Sequence, residues 1–161
     1  MEVRIVVMGV AGSGKTSLAI PLAESLGARF VEADDAHPAA NIAKMRAGRP
    51  LDDDDRRPWL ERLATELDTP PVVVTCSALK RTYRDVLRGA GGVCFVFLDL
   101  DETTALARLH DRPDHFMGPN MIASQFETLE RPGDDESDVL RLDATAPVDA
   151  NVGLVLAELD A

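Results

Sequence analysis

Near the start of the chain, Gly9, Val10, Ala11, Gly12, Ser13, Gly14, Lys15 and Thr16 fill the pattern G-x-x-x-x-G-K-[ST]. Placed after a strand and at the start of a helix, such a run wraps a polyphosphate. The glycines let consecutive backbone N–H groups point inward, at the positive end of the helix that follows. Lys15 then reaches the β- and γ-phosphates, and the Thr16 hydroxyl coordinates Mg²⁺. The expected nucleotide-binding set is Gly9, Ala11, Gly12, Ser13, Gly14, Lys15, Thr16 and Ser17, with ATP and Mg²⁺ as cofactors. The motif sets the class of ligand but not the reaction, because GTPases, ATPases, motor domains and small-molecule kinases share it. Neither N-K-x-D, expected of a guanine pocket, nor D-x-x-G, expected of a switch, occurs in the chain. A small-molecule kinase is therefore the leading reading, with a nucleotide-dependent switch as the alternative.

A kinase also needs an acceptor side. The strand expected over Arg29–Glu32 leads into Asp34, and in the expected topology it lies beside the first strand and faces the γ-phosphate position. Asp34 either takes the acceptor hydroxyl proton or holds the water shell of Mg²⁺. Phosphoryl transfer has a loose transition state in which positioning outweighs deprotonation. Asp52, Asp53, Asp54 and Asp55 read as a solvated, helix-capping run,. Arg56 directly after them can take a carboxylate or phosphate in a two-pronged hydrogen bond. Lys80, Arg84 and Arg88 share one helical face by their spacing of four, with Arg81 beside them,. That stripe is either solvated surface or an anion site beyond a strand's carboxyl end. Arg108, Arg112 and His115 flank a polar excursion, where arginines can close over nucleotide phosphates; for His115 and Phe116 simple packing is the alternative.

The elements that must hold these residues follow from apolar periodicity. Val3–Met8, Arg29–Glu32, Val72–Cys76, Val93–Leu98 and Asp138–Leu142 read as strands. Lys15–Leu26, Pro38–Ala47, Pro58–Leu67, Lys80–Arg88, Asp101–His110, Asn120–Glu130 and a segment from Val148 to Leu159 read as helices,. Alternation of the two predicts an α/β protein with a largely parallel sheet. The stretch from about 111 to 131 looks like an excursion carrying its own helix, as a lid would.

The 161 residues fit one domain, and a formal net charge of −11 argues against nucleic-acid and anionic-membrane surfaces,. If the ligands are anions, the cations and oriented N–H groups must be concentrated in one cleft. Cys76 and Cys94 each lie in an apolar strand-like run, so buried reduced thiols are expected,. No signal-like start and no run of about 18 apolar residues occurs, and a compact cytoplasmic protein is expected,.

Five blocks carry a resemblance to a known family: MGVAGSGKT (Met8 to Thr16), HPAANIAKM (His37 to Met45), PLDDDDRRPWL (Pro50 to Leu60), CSALKRTYRDVLR (Cys76 to Arg88), and HFM with SQFETLE (His115 to Glu130). In that order and spacing the chain resembles the gluconokinases over nearly its whole length. The resemblance implies one domain over 1–161 with a three-layer P-loop NTPase fold of the nucleoside-monophosphate-kinase type. Such a fold has a central parallel five-stranded sheet flanked by helices and a small helical lid. It also implies ATP-dependent phosphorylation of D-gluconate to 6-phospho-D-gluconate, and a homodimer. By position it puts Lys15, Asp34 and Arg112 in catalysis, Thr16 and Asp34 near Mg²⁺, and Arg108 and Arg112 over the nucleotide. His37, Lys44, Arg56, Lys80, Arg84 and His115 fall with Asp34 on the sugar-acid side, and adenine falls near the loop Asp143 to Pro147. The chain departs from the family's pattern in three places: Glu32 where a D-x-D pair is more familiar, Asp35 beside Asp34, and the pair Pro113 and Asp114 in the lid loop.

Overall fold

A computed structural model describes residues 2–111 and 119–161. Five strands, β1 (Arg4–Met8), β2 (Arg29–Glu32), β3 (Val72–Thr75), β4 (Val93–Asp99) and β5 (Val139–Asp143), form one sheet in the order β2-β3-β1-β4-β5. Every pairing is parallel; Val6 of β1 stands level with Val74 of β3 on one side and Phe95 of β4 on the other. The helices among the described residues are α1 (Lys15–Leu26), α2 (Ala39–Arg46), α3 (Asp53–Leu67), α4 (Arg81–Arg88), α5 (Glu102–His110), α6 (Pro119–Thr128) and α7 (Val148–Asp160). Helices α1 and α7 pack together on the sheet, as do α3 and α4, giving the three-layer arrangement expected of a parallel sheet whose strands are buried on both faces,. None of the helices in the described residues is long and apolar enough to cross a membrane.

Strand order differs from expectation at one point. β2 does not lie beside β1; β3 stands between them. The burial pattern supplies the reason. The four residues of β3, Val-Val-Val-Thr, are fully buried and suit the interior, whereas Arg-Phe-Val-Glu of β2 is only partly covered and suits an edge. Between the end of β2 and α2 a 3₁₀ turn, Ala33–Ala36, was not apparent from periodicity.

Helix α3 begins five residues before the expected start at Pro58, because the acidic run is its first turn. Asp52 Oδ1 accepts from the Asp55 N–H at 2.7 Å, and Asp55 Oδ2 accepts from the Asp52 N–H at 2.9 Å. This reciprocal cap satisfies two helix-end donors, and its carboxylates suit the positive end of the helix dipole.

The basic stripe on α4 is neither solvated nor open to an anion at Arg84. Its guanidinium is 1 % exposed and lies in a two-pronged pair with Glu136 at 2.8 Å on both arms. The Arg84 Nη1 also donates to the Ala78 carbonyl at 2.9 Å. Ala78 has a φ of 45°, a left-handed conformation that costs energy for a residue with a Cβ,. Arg84 thus braces the strained turn after β3 rather than meeting a substrate. Arg88 pairs with Glu136 at 2.6 Å and with Asp138 at 2.7 Å.

Replacing Glu136 by Ala leaves Arg84 buried without its counter-charge, and a cost of about 3–5 kcal/mol is expected in denaturant unfolding at neutral pH. Arg84, and Arg88 after it, hold the Glu136 carboxyl down at about 2 from an ordinary 4.5. The wild type's advantage over Glu136→Ala is therefore full above pH 4.5 and shrinks as pH falls from 4.5 toward 2.

Candidate active site

The parallel sheet delivers four strand ends to one rim. There the turns after β1, β2, β3 and β5 enclose a cleft of about 630 Å³, the place where open α/β sheets hold ligands. Residues 9–16 form its floor. Gly9 has a φ of 152°, and a Cβ built there would stand 2.7 Å from Ser13 Oγ and 2.9 Å from the Leu98 carbonyl; only glycine allows this approach. Gly14, with a φ of 93°, caps α1. Ser13 Oγ is buried and is the one buried side-chain polar atom among the described residues with no hydrogen-bond partner.

Lys15 is half-buried, and its Nζ rests on the carbonyls of Gly9 and Val10 at 3.1 Å each. Burial lowers its pKa while the Asp34 and Glu32 carboxylates oppose that shift. Arg108 donates to the Gly12 carbonyl at 2.7 Å and to the Ala144 carbonyl at 2.9 Å, tying the loop to the turn after β5. From α6, Gln125 Oε1 accepts from the Ala11 N–H at 2.7 Å.

Beside this loop stands a carboxylate that was counted as a departure but not as a site residue. Glu32 accepts from Thr16 Oγ1 at 2.6 Å through one oxygen and from Thr75 Oγ1 at 2.8 Å through the other. Thr75 Oγ1 in turn accepts from the Ala33 N–H at 3.2 Å, and Trp59 Nε1 donates to the Ala33 carbonyl at 2.7 Å. The Ala33 peptide is gripped from both sides, which fixes the turn that presents Asp34 to the cleft. Thr75 carries no motif, and only its place at the end of a buried strand could have singled it out.

At the far end, His37 stacks on Trp59 with ring centroids 4.1 Å apart and planes 15° from parallel. Asn41 Nδ2 donates to the Asp55 carbonyl at 2.8 Å and lies 3.2 Å from His37 Nδ1. An amide nitrogen is a donor only, so Nδ1 accepts and the imidazole proton sits on Nε2. Burial, and after it the Arg56 guanidinium, holds the His37 pKa down at about 4. The ring is thus neutral at ordinary pH, with an N–H donor at the wall of the cleft. Arg56 also lines the cleft; its Nη1 donates to Tyr83 Oη at 2.8 Å and its guanidinium lies 5.3 Å from the centre of the Tyr83 ring. Tyr83 Oη in turn donates to Asp53.

Of the expected site residues, the cleft therefore gathers Ala11 to Ser17, Asp34, His37, Arg56 and Arg108, and the turn residues Ala144, Thr145 and Ala146 form its other end. Gly9 supports the loop from beneath. Three expected substrate contacts lie elsewhere. Arg84 is buried as described. Lys44 pairs with Asp55 at 2.6 Å and joins α2 to the α3 cap. Lys80 pairs with Asp53 at 3.1 Å and lines a separate shallow hollow with the acidic run. Arg112 and His115 fall outside the described residues.

Comparison with known proteins agrees with this geometry. The family model described as shikimate kinase matches residues 11–143. The thermosensitive gluconokinase of Escherichia coli (strain K12) is 47 % identical over 153 residues, covering 91 % of this chain and 81 % of that protein. Thermoresistant gluconokinase of the same strain is 44 % identical, covering 91 % and 87 %. A crystal structure of a gluconokinase from Sinorhizobium meliloti 1021 superposes with a TM-score of 0.90 at 45 % identity, over 99 % of this chain and 92 % of that one. A shikimate kinase structure from Aquifex aeolicus, with a TM-score of 0.57 and 18 % identity, shares the fold.

The buried neutral imidazole makes stability depend on pH. His37 takes up a proton near 6.5 in the unfolded chain but only near 4 in the folded one. Its contribution is therefore whole above 6.5 and declines as pH falls from 6.5 toward 4. Urea midpoints of wild type and His37→Gln measured across that range are expected to converge as pH falls; a constant difference would show that His37 is not buried neutral.

Proposed function

Because the chain belongs to the gluconokinase family, within the wider group of shikimate-kinase-type domains, we propose that it transfers the γ-phosphoryl group of ATP to D-gluconate, giving 6-phospho-D-gluconate and ADP. The supporting observation is that one cleft holds the phosphate loop with Asp34 beside it at one end and His37 and Arg56 at the other. Match to a family model described as shikimate kinase favours shikimate as a second acceptor. Gluconate is preferred because the relatives at 44–47 % identity are gluconokinases, whereas at 18 % only the fold is shared.

In this reading the primary hydroxyl of gluconate attacks the γ-phosphorus in line. An O–P bond forms, the bond from γ-phosphorus to the β,γ-bridging oxygen breaks, and that oxygen leaves on ADP. Asp34 takes the hydroxyl proton; a late proton transfer lets an ordinary carboxylate serve. Lys15 swings from the Gly9 and Val10 carbonyls to the phosphates. Backbone N–H groups of Gly12, Gly14, Lys15 and Thr16 hold the phosphate oxygens, as does the Ser13 hydroxyl that otherwise lacks a partner,. Arg56, already oriented by Tyr83, pairs the substrate carboxylate, and His37 Nε2–H donates to a substrate hydroxyl. Lys80 is the weaker candidate for the carboxylate, since Asp53 holds it outside the cleft.

The donor set around Thr16 fits Mg²⁺: a hydroxyl at the start of α1, the Glu32 carboxylate 2.6 Å from it, and Asp34 at the same end of the cleft. Mg²⁺ favours hard oxygen ligands and keeps waters between itself and carboxylates. Thr16 would hold the ion directly, with Glu32 and Asp34 acting on its waters, and the ion would neutralise charge on the β- and γ-phosphates. We place Arg112 with Arg108 on the nucleotide side, His115 with the acceptor, and the 111–131 segment as a lid. The family relationship also carries a cytoplasmic homodimer, which sedimentation and fractionation test.

In a coupled assay with Mg²⁺, ATP consumption is expected to rise with D-gluconate and not with shikimate, glycerate or buffer alone. Acceptor-independent hydrolysis, or stimulation by shikimate alone, would overturn the reading. Asp34→Asn is expected to lower kcat by roughly 10²- to 10⁴-fold with ATP binding nearly unchanged. A change confined to the KM for gluconate would instead make Asp34 a binding residue.

A further inference from the structure

Gln125 lies on α6, 114 residues along the chain from Ala11, yet its Oε1 accepts a 2.7 Å hydrogen bond from the Ala11 N–H. The reach is set by packing rather than by a loose side chain. Gln125 is 9 % exposed, Ile122 one turn earlier is part of the main core, and Met121 forms a second apolar cluster with Met45 and Leu51. One backbone donor of a loop built to receive phosphate oxygens is thus occupied by an amide oxygen of the chain itself. The resting place of Lys15 puts that donor on the side a terminal phosphate would take. Lys15, whose counterpart in such loops spans the β- and γ-phosphates, rests on the carbonyls of Gly9 and Val10, the two residues before Ala11.

We infer that Gln125 Oε1 stands in for an oxygen of the terminal phosphate: it holds the Ala11 N–H in the nucleotide-free enzyme and with ADP bound, and a triphosphate displaces it. A hydrogen bond to an ionised phosphate is about twice as strong as one to a neutral amide, so the triphosphate takes the donor. ATP binding is weakened by loss of the amide bond, whereas ADP binding leaves that bond intact. Gln125 is on this view a positioning residue. It keeps the first half of the loop in its receiving shape and makes the seating of α6 respond to the γ-phosphate. The inference rests on the loop's binding ATP, as proposed above.

The test is calorimetric titration with ADP and with a non-hydrolysable ATP analogue, in Mg²⁺ and without acceptor, for wild type, Gln125→Met and Gln125→Glu. Methionine fills a similar volume without the acceptor, so affinity for the triphosphate relative to ADP is expected to rise about 3- to 10-fold, the worth of one hydrogen bond. Glutamate keeps an acceptor and adds a negative charge, so the same ratio is expected to fall below the wild-type value. Equal changes in both affinities would make Gln125 a support of the fold alone and overturn the inference. In the unaltered protein the Ala11 amide resonance is expected to move with the triphosphate analogue and to stay near its nucleotide-free position with ADP; equal movement with both would overturn it even if the variants fail to fold. Failure of the wild type to bind either nucleotide is a different result, which removes the ATP reading itself.

Discussion

A loop that binds polyphosphate must keep most of its backbone N–H groups turned toward the ligand, so it can pair few of those groups within itself. Everything around residues 9–16 answers that constraint. β1 enters from the middle of the sheet with Ile5, Val6 and Val7 at zero exposure, which anchors one end. The packed face of α1, with Leu18, Ala19 and Leu22 buried, anchors the other. Between these anchors the loop is held chiefly by its carbonyls. Lys15 donates to those of Gly9 and Val10, Arg108 to that of Gly12, and Ser13 N–H to that of Val10. Holding a loop chiefly by its acceptors leaves most of its donors for the ligand; the Ser13 N–H, turned onto the Val10 carbonyl, and the Ala11 N–H, held by Gln125, are the informative exceptions.

The same constraint governs the placement of charge. A protein with a net charge of −11 must present cations to ATP and to a sugar acid while its carboxylates outnumber them. Distance along the chain conceals how this is done. Lys44, Lys80, Arg81, Arg84 and Arg88 are each committed to an acid, in several cases one about fifty residues away. Lys15, Arg56 and Arg108 line the cleft instead, bonded there to backbone carbonyls and one phenol. These neutral partners can be exchanged for an anion without stranding a buried charge, which is the physical difference between a cation that can serve a substrate and one that cannot.

Local features of this architecture were legible in the residues, and non-local ones were not. Helix α1 and strand β2 fall at the expected residues because glycine stops and apolar periodicity act within a few positions. The phosphate loop was equally plain, since its function needs contiguous residues. Strand order was misjudged because periodicity says nothing about neighbours, although the all-apolar β3 against the mixed β2 does distinguish centre from edge. Spacing placed Arg84 and Arg88 on one face but could not reveal Glu136 and Asp138 waiting there, and Lys80, just before α4, turns to Asp53 instead. Gln125 and Thr75 were invisible for the same reason, since each bonds residues far along the chain.

The connection between β2 and β3 supplies Asp34, His37, Arg56 and Trp59 to the cleft. In this chain that connection is α2 and α3, and it is stiffened by polar bonds as much as by apolar packing. Asn41 ties the two helices together through His37 and the Asp55 carbonyl, Lys44 ties α2 to the α3 cap, and Trp59 ties α3 to the peptide before Asp34. The acidic run therefore shapes the cleft without lining it: it starts the helix that carries Arg56 and Trp59, and through Asp53 it orients Tyr83, which holds Arg56. Four carboxylates in contact with an anionic substrate would repel it, but at the positive end of a helix, with three of them paired to Lys44 and Lys80, they help hold Arg56 at the wall of the cleft,.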